Sequence, residues 1–369
     1  MKLIYFSNSD LFSKKANAIQ VMKMCEAFSH KFEGVTLYAY SNKKNISGVH
    51  DFYGVKNNFS IIIYPFKKNR LTRVLNSLFT LLFNLKKKNK DTVIYSREIF
   101  SAFFSSIIGF KNIYELHNIP VPRSSFLVNY IIKAKTNLFF ITISNSLKNK
   151  IKELYQSKSP IYAFHDGATL TSNSFSSPPN FYDRSSFNIG YVGHLYQGRG
   201  IELIIDLAKQ LPQFSFQIIG GEKKDIEKLK KHSTNNIFYH GFVSPSDTPK
   251  YRYFSDILLM PYMKGLGNEG SLADTSSWMS PMKLFEYMSS AKPIISTDLP
   301  VLREVLNNEN SILVPYEVQS WKDAILKIYN DKSFGAYIGQ NAYNDLVSNY
   351  TWESRAEGIT NLIKKTINT

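Results

Sequence analysis

Two cations and one carboxylate stand out by type and spacing. Lys283 lies in "WMSPMKLFEYMSSAKPIIST" (278–297), where Ser280 and Pro281 mark a helix start as N-cap and first helical residue. Lys283 then falls at the third helical position, with Glu286 one turn further along the same face. A helix amino terminus carries about half a positive charge, so a lysine there is unfavourable unless an anion joins it. The plain alternative is an ion pair between Lys283 and Glu286 on a solvated helix. Arg199 lies in "FNIGYVGHLYQGRGIELIIDLAKQL" (187–211), a strand, a glycine-rich turn and a helix. Gly193 and Gly198 have the spacing of a P-loop. Arg199 and Gly200, however, replace its lysine and its magnesium-holding hydroxyl, which argues against an NTPase. A guanidinium still grips a diphosphate through two parallel hydrogen bonds. Both cations are expected at strand-to-helix connections on the carboxyl side of one sheet, converging on one diphosphate, with Glu286 accepting from ribose hydroxyls.

The elements that must position them are legible as alternation. "KLIYFS", "VTLYAYS", "SIIIYPF", "TVIYS", "NIYELH", "LFFITIS" and "PIYAFH" read as strands separated by helices. After "TLTSNSFSSPPNFYDRSS", rich in Ser, Asn and Pro, the pattern restarts with "FNIGYVG", "FSFQIIG", "NIFYHGF", "ILLMPY", "PIIST" and "SILVPY". Such alternation predicts α/β architecture: two Rossmann-like, doubly wound domains with parallel sheets facing a central cleft. The expected boundaries are 1–170, a linker at 171–186, 187–345, and a final helical segment at 346–369 that packs back on the first domain.

With 369 residues, 43% of them hydrophobic, the chain can fill two cores. No apolar run approaches the roughly 20 residues of a membrane span, and "MKLIYFSNSD" reads as a strand and polar turn with no signal-peptide pattern, so the expected location is cytoplasmic. The net charge of +16 is uneven: residues 1–180 carry 25 Lys and Arg against 9 Asp and Glu, and the remainder balances. The excess concentrates in "FKKNRLTRVLNSLFTLLFNLKKKNK" (66–90), basic clusters interleaved with apolar residues at helical spacing. Two readings fit: a helix lying on an anionic membrane surface, or a core-packed helix flanked by solvated lysines. No nucleic-acid-binding module accompanies the charge, so nucleic acid is not an expected partner. The single cysteine, Cys25, is expected to be a buried helical thiol, and the seven histidines lack metal-ligand spacing. Ser144 in "TISNS" reads as a helix N-cap rather than a nucleophile.

Residues 188–315, above all "SPMKLFEYMSSAKPIISTDLPVLREVL", closely resemble the retaining glycosyltransferases of the GT-B fold, family 4 (glycosyl transferases group 1). In the first half the resemblance rests on "ANAIQVMKMCEAF", "YELHNIP" and "TISNSLKNKIKE". It implies that Arg199 and Lys283 grip the diphosphate of a nucleotide-sugar donor and that Glu286, the last glutamate of an E-x7-E motif, binds the ribose. It further implies that His117 lies near the transferred sugar. Gly220 and Gly221, with His240 to Val243 and so Phe242 and Val243, would lie beside the nucleobase. Gly193, His194, Ser280, Pro281, Met282 and Leu284 complete the implied donor-binding set.

Two positions depart from the family pattern. Trp278 stands where the first glutamate of E-x7-E is expected, and His194 where many relatives carry arginine. Asp274, Glu269 and Ser280 are nearby polar candidates for sugar recognition, and His165 and Asp166 are expected at the interdomain cleft. The resemblance implies transfer with retention of configuration to a cell-surface glycan or a lipid-linked glycan precursor. No D-x-D motif is present, which fits a metal-independent reaction with no cofactor beyond the donor. The further candidate partner is an anionic membrane, which would make the protein peripheral on the inner face of the cytoplasmic membrane. The competing reading is a catalytically silent scaffold that binds a membrane or a partner transferase.

Overall fold

The computed structural model describes the chain apart from residues 89–90, 158, 171–174, 181, 184, 266–273 and 369, and apart from the side chain of Arg70. It divides into two compact units, Met1–Asp166 with Trp352–Thr369, and Gly167–Thr351. Every sequence-predicted strand forms, within a residue or two at the amino end and up to three at the carboxyl end.

The first unit contains β1 (Lys2–Asp10), α1 (Ala16–Ser29), β2 (Gly34–Tyr40), α2 (Val49–Tyr53), β3 (Ser60–Ile63) and α3 (Arg70–Phe83). It continues through β4 (Thr92–Ser96), α4 (Ile99–Ile108), β5 (Lys111–Leu116), α5 (Pro122–Lys133), β6 (Asn137–Thr142), α6 (Asn145–Tyr155) and β7 (Ile161–Ala163). These strands form one sheet in the order β3-β2-β1-β4-β5-β6-β7, with each adjacent pair parallel. The runs are almost wholly buried, as strands covered by helices on both faces must be. Ser144 caps α6 by accepting from the Leu147 N–H at 3.1 Å, and Cys25 is buried in α1, both as the sequence predicts.

The second unit contains β8 (Asn188–Val192), α7 (Ile201–Gln210), β9 (Ser215–Ile219), α8 (Lys223–Lys230), β10 (Ile237–Gly241), α9 (Thr248–Phe254) and β11 (Ile257–Met260). After these come α10 (Met282–Met288), β12 (Ile294–Thr297), β13 (Ile312–Val314), α11 (Val318–Asn330) and α12 (Lys332–Asn349). The sheet order is β10-β9-β8-β11-β12-β13, again parallel throughout. Strand order reverses between β8 and β11, and in such sheets ligands bind outside the carboxyl ends at that reversal.

The chain then returns to the first unit as α13 (Trp352–Asn368), which packs on α1. The divisions fall after Asp166 and after Thr351, and α12 runs through the expected boundary at 345. The described part of the expected linker is no free tether. Tyr182 is buried and its hydroxyl donates to the Tyr251 carbonyl at 3.1 Å, while Phe175 packs on Tyr253.

The basic stretch holds the main departure from expectation. Helix α3 starts in a reciprocal cap between Asn69 and Thr72, but it packs through its polar face. Asn76, Ser77, Thr80 and Asn84 are buried, whereas Leu71, Phe79, Leu82 and Phe83 are exposed. Three of these side chains have partners: Asn76 Nδ2 donates to the Tyr40 hydroxyl, Asn84 Nδ2 to the Tyr38 hydroxyl, and Ser77 Oγ to Glu98. The helix shows parts of both readings: Leu81 is fully buried in the first unit's core beside these polar residues, while Leu71, Phe79, Leu82 and Phe83 face outward.

This inversion reverses the usual mutational expectation. Ser77→Leu should destabilise the first unit by about 2–4 kcal/mol, through overpacking and loss of the Glu98 contact. Leu82→Ser should stay within about 1 kcal/mol of wild type. Urea unfolding followed by circular dichroism checks the order of the two.

Candidate functional site

Backbone geometry builds the site first. Gly193 ends β8, Gly220 ends β9 and Gly241 ends β10, and they meet. The Gly193 N–H donates to the Ile219 carbonyl at 2.9 Å and the Gly220 N–H to the Gly241 carbonyl at 2.7 Å. A Cβ on Gly220, at φ +113°, would fall 2.2 Å from the Gly193 carbonyl oxygen, so no side chain is possible there. Gly200, at φ +77°, lies against Pro261 of the chain leaving β11; a Cβ would meet the Pro261 carbonyl oxygen at 2.0 Å. The glycine-rich turn is thus pressed onto the β11 exit, at the point where strand order reverses.

That contact brings Arg199 and Tyr262 together. The guanidinium carbon of Arg199 lies 5.2 Å from the centre of the Tyr262 ring and 4.5 Å from that of Tyr196, whose hydroxyl accepts from Arg199 Nη2. Among the described residues its buried Nε has no hydrogen-bond partner. Lys283 approaches the same ring from α10: its Nζ is 5.3 Å from the Tyr262 centre and 3.8 Å from the Tyr191 centre. A Cβ on Gly193 would stand 2.6 Å from Lys283 Nζ, so the lysine also touches the end of β8. The two cations converge, held by aromatic faces that attract positive charge.

Helix α10 is fixed by its core side. The Tyr287 hydroxyl, one turn beyond Lys283, accepts from the Val192 N–H at 2.8 Å and donates to the Leu259 carbonyl at 3.3 Å. One side chain thus locks the lysine's helix to both β8 and β11. The helix begins at Met282, because Pro281 keeps an extended ψ of 120° and occupies the N-cap position. Lys283 is therefore the second helical residue rather than the third, and Ser280 is a buried residue preceding the cap. Leu284 turns into the core and its N–H donates to the Pro281 carbonyl at 2.9 Å, which removes it from the ligand-facing set.

Electrostatics sharpen the picture. Burial, then the neighbouring Arg199, push the Lys283 ammonium well below its usual range, and Glu286 only partly opposes them. Among the described residues Lys283 makes no ion pair within 4 Å; Glu286 instead faces Arg252 Nη1 at 3.7 Å. Arg252 is buried in α9 and nothing in its local sequence marks it, since its role depends on α9 meeting α10. The ion pair between Lys283 and Glu286 that the sequence left open is replaced by this one.

The remaining donor-side residues surround these. His194 stacks near Tyr196, with ring centres 5.5 Å apart. Gly221, at φ +84°, packs against Leu195. Phe242 is exposed beyond β10, and Val243 packs on the core. His240 accounts for itself within the fold: its Nε2 donates to Gln217 Oε1 at 2.8 Å, and burial pushes its pKa down to about 4. Asp274 accepts from the Ser276 N–H and hydroxyl. Glu269 and much of the loop from Met263 to Met279 lie outside the described residues. A cavity of 770 Å³ lies at the amino ends of β8 and β11, lined by Asn188, Asp256 and Lys292, on the opposite edge from the two cations.

In the first unit His117 follows β5 directly. Its Nε2 lies 2.5 Å from Glu115 Oε1, and burial and Arg97 hold the ring pKa below its usual value. A carboxylate only accepts, so a neutral ring donates from Nε2 and keeps Nδ1 as its acceptor nitrogen. Glu115 is itself enclosed. Arg355 Nη2 of α13 donates to it at 3.1 Å, Gln20 Nε2 at 3.0 Å, and the Tyr95 hydroxyl also donates. Arg355 Nε donates to the His165 carbonyl at 2.9 Å, and Gln20 Nε2 reaches Asp166 at 3.3 Å. Burial alone would raise the Glu115 carboxyl; Arg355, then His117 and Arg97, overturn this and hold it well below its usual range.

Comparison with known proteins follows this geometry. Residues 186–331 match the family model of glycosyl transferases group 1. Over 93% of the chain and 94% of the relative, the sequence is 23% identical to the uncharacterized glycosyltransferase MJ1069 of Methanocaldococcus jannaschii. Anabaena HepE, solved in complex with UDP, superposes with a TM-score of 0.72 at 14% identity, covering 99% of this chain and all of that one. A TarM variant of S. aureus, solved with alpha-GlcNAc-glycerol and UDP among its ligands, gives 0.70 at 12% identity, covering both chains fully. These superpositions establish the GT-B fold.

The Glu115 cluster makes a signed prediction. Glu115→Gln leaves Arg355 buried without its counter-charge and should cost about 3–5 kcal/mol at neutral pH. Because the folded carboxyl lies below its ordinary 4.5, its contribution is complete above that value and is lost as pH falls through the depressed one. The penalty should therefore shrink as pH drops below about 4.5, as measured by urea unfolding of both proteins across acid pH.

Proposed function

We propose that this chain, a glycosyltransferase of the GT-B type acting in glycan biosynthesis, moves a sugar from a nucleoside-diphosphate donor to a hydroxyl of a cell-surface glycan or lipid-linked glycan precursor. The observation that carries the reading is the convergence of Arg199 and Lys283 on the single ring of Tyr262, at the reversal of strand order. When the bond between sugar and diphosphate breaks, negative charge develops on the departing phosphate oxygens. Two cations already in place stabilise that charge without reorganising. Burial and Arg199 disfavour the charge on Lys283, and a diphosphate would restore what they remove.

Glu286, steadied by Arg252 at 3.7 Å, accepts from the ribose hydroxyls. His117, held by Glu115 at 2.5 Å, orients the sugar from the first unit. The reaction retains anomeric configuration, as in family 4, with the leaving phosphate taking the acceptor's proton. Two fixed side-chain cations supply the electrostatic role that a metal plays in other transferases, so the transfer proceeds without one. UDP bound to HepE and to the TarM variant supports a nucleotide donor.

One observation favours a second reading, a silent scaffold: Trp278 occupies the place of the first glutamate of E-x7-E. A metal-free calorimetric panel with UDP, GDP, CMP, dTDP and ADP separates the two. Selective binding of one nucleotide, weakened in Lys283→Ala, is the expected result, and no binding of any would favour the scaffold. With the donor identified, Arg199→Ala and Lys283→Ala should each lower turnover on the order of 100-fold. Glu286→Gln should chiefly weaken nucleotide affinity. Near-wild-type rates in both cation variants would remove the mechanism.

A further inference from the structure

The outer surface of α3, α4 and α5 is apolar where a solvated helix layer is polar. On α3, Leu71, Phe79 and Phe83 are 70%, 54% and 75% exposed. Helix α4, packed beside it, repeats the inversion: it buries Ser101, Ala102, Ser105 and Ser106 and leaves Ile107 exposed. The Ser105 and Ser106 hydroxyls donate back to the carbonyls of Ser101 and Ala102, so the small polar face needs no water. Helix α5 continues the surface with exposed Phe126 and Tyr130, and the Tyr130 ring lies 5.1 Å from that of Phe103 on α4. Three neighbouring helices thus turn large apolar side chains outward together.

Charge identifies what covers this face. Residues 66–90 contain eight Lys and Arg and no Asp or Glu. Lys67 precedes α3, and Lys86 and Lys87 follow it; all three are exposed at the two ends of the apolar strip. A second copy of the chain would bring these cations against their own kind. An anionic bilayer accepts both parts, the phenylalanines in the acyl boundary and the lysines among the headgroups. Helix α3, at 14 residues, is too short to span the hydrocarbon, and among the described residues no helix is long and apolar enough to do so. We infer that the α3–α4–α5 face of the first unit docks on an anionic phospholipid surface, with α3 lying in the plane of the interface and Phe79 and Phe83 inserted.

The inference goes beyond the transfer reading and does not rest on it, because none of these residues belongs to the nucleotide site. The test is co-sedimentation with phosphatidylglycerol–phosphatidylcholine vesicles and with phosphatidylcholine alone, alongside nucleotide calorimetry and urea unfolding. The wild type should bind the anionic vesicles and release at high salt. The double variant Phe79→Ser, Phe83→Ser should lose binding on the order of 100-fold. The triple variant Lys67→Gln, Lys86→Gln, Lys87→Gln should lose a similar factor on anionic vesicles only. Nucleotide affinity and unfolding midpoints should be unaltered in both. In a separate Phe83→Trp variant, tryptophan emission should shift to the blue on anionic vesicles. Absent vesicle binding, variants that bind like wild type, or an unshifted emission would overturn the inference. A blue shift that appears with protein concentration in the absence of lipid would assign the face to a second copy instead and overturn it equally.

Discussion

Like charges repel, and in a half-buried setting they repel more strongly than in water. The second unit nevertheless brings Arg199 and Lys283 against one aromatic ring, and much of its local architecture follows from doing so. Tyr262 offers its ring to both cations, while Tyr196 faces Arg199 and Tyr191 faces Lys283. Gly200 lets the turn bearing Arg199 press onto Pro261, and Gly193 leaves room for the lysine. Tyr287 keeps α10 from relaxing away, since its hydroxyl is bonded to β8 and β11 together. A site preorganised for negative charge differs from an adaptable one in that its reorganisation is complete before substrate arrives.

The first unit solves a related problem with opposite sign. Glu115 is a fully enclosed carboxylate, tolerable only because Arg355, Gln20 and Tyr95 surround it with donors. Its remaining contact fixes the tautomer of His117. Stability and side-chain orientation are therefore supplied by one cluster.

Much of this was legible in the sequence, and the boundary between legible and hidden has a physical cause. Strands such as "FNIGYVG" and "PIIST" declare themselves because a parallel strand buried on both faces is a short unbroken apolar run. Ser144 was readable as a cap because the bond it accepts closes three residues away. Arg199 and Lys283 were readable by type, but the ring that joins them was not, since Tyr262 enters from a different strand. Arg252 and Arg355 lay further beyond reach, because each acts on a residue brought near only by the finished fold. Helix α3 stayed ambiguous for another reason: periodicity shows that a helix has two faces, but not which one turns inward.

The return of α13 makes the first unit discontinuous in sequence, whereas the second is a single uninterrupted span. Glu115 precedes the guanidinium that neutralises it by 240 positions. During synthesis the second unit has all its strands available before the first has its last helix, so the first unit cannot be completed ahead of the second. Until Arg355 emerges, the nascent first unit lacks the guanidinium that most strongly holds the Glu115 carboxylate, and Gln20, Tyr95 and His117 are its remaining side-chain partners. The enclosed ion pair thus joins the two ends of a unit whose chain is interrupted, and it can form only once the polypeptide beyond the second unit has been made.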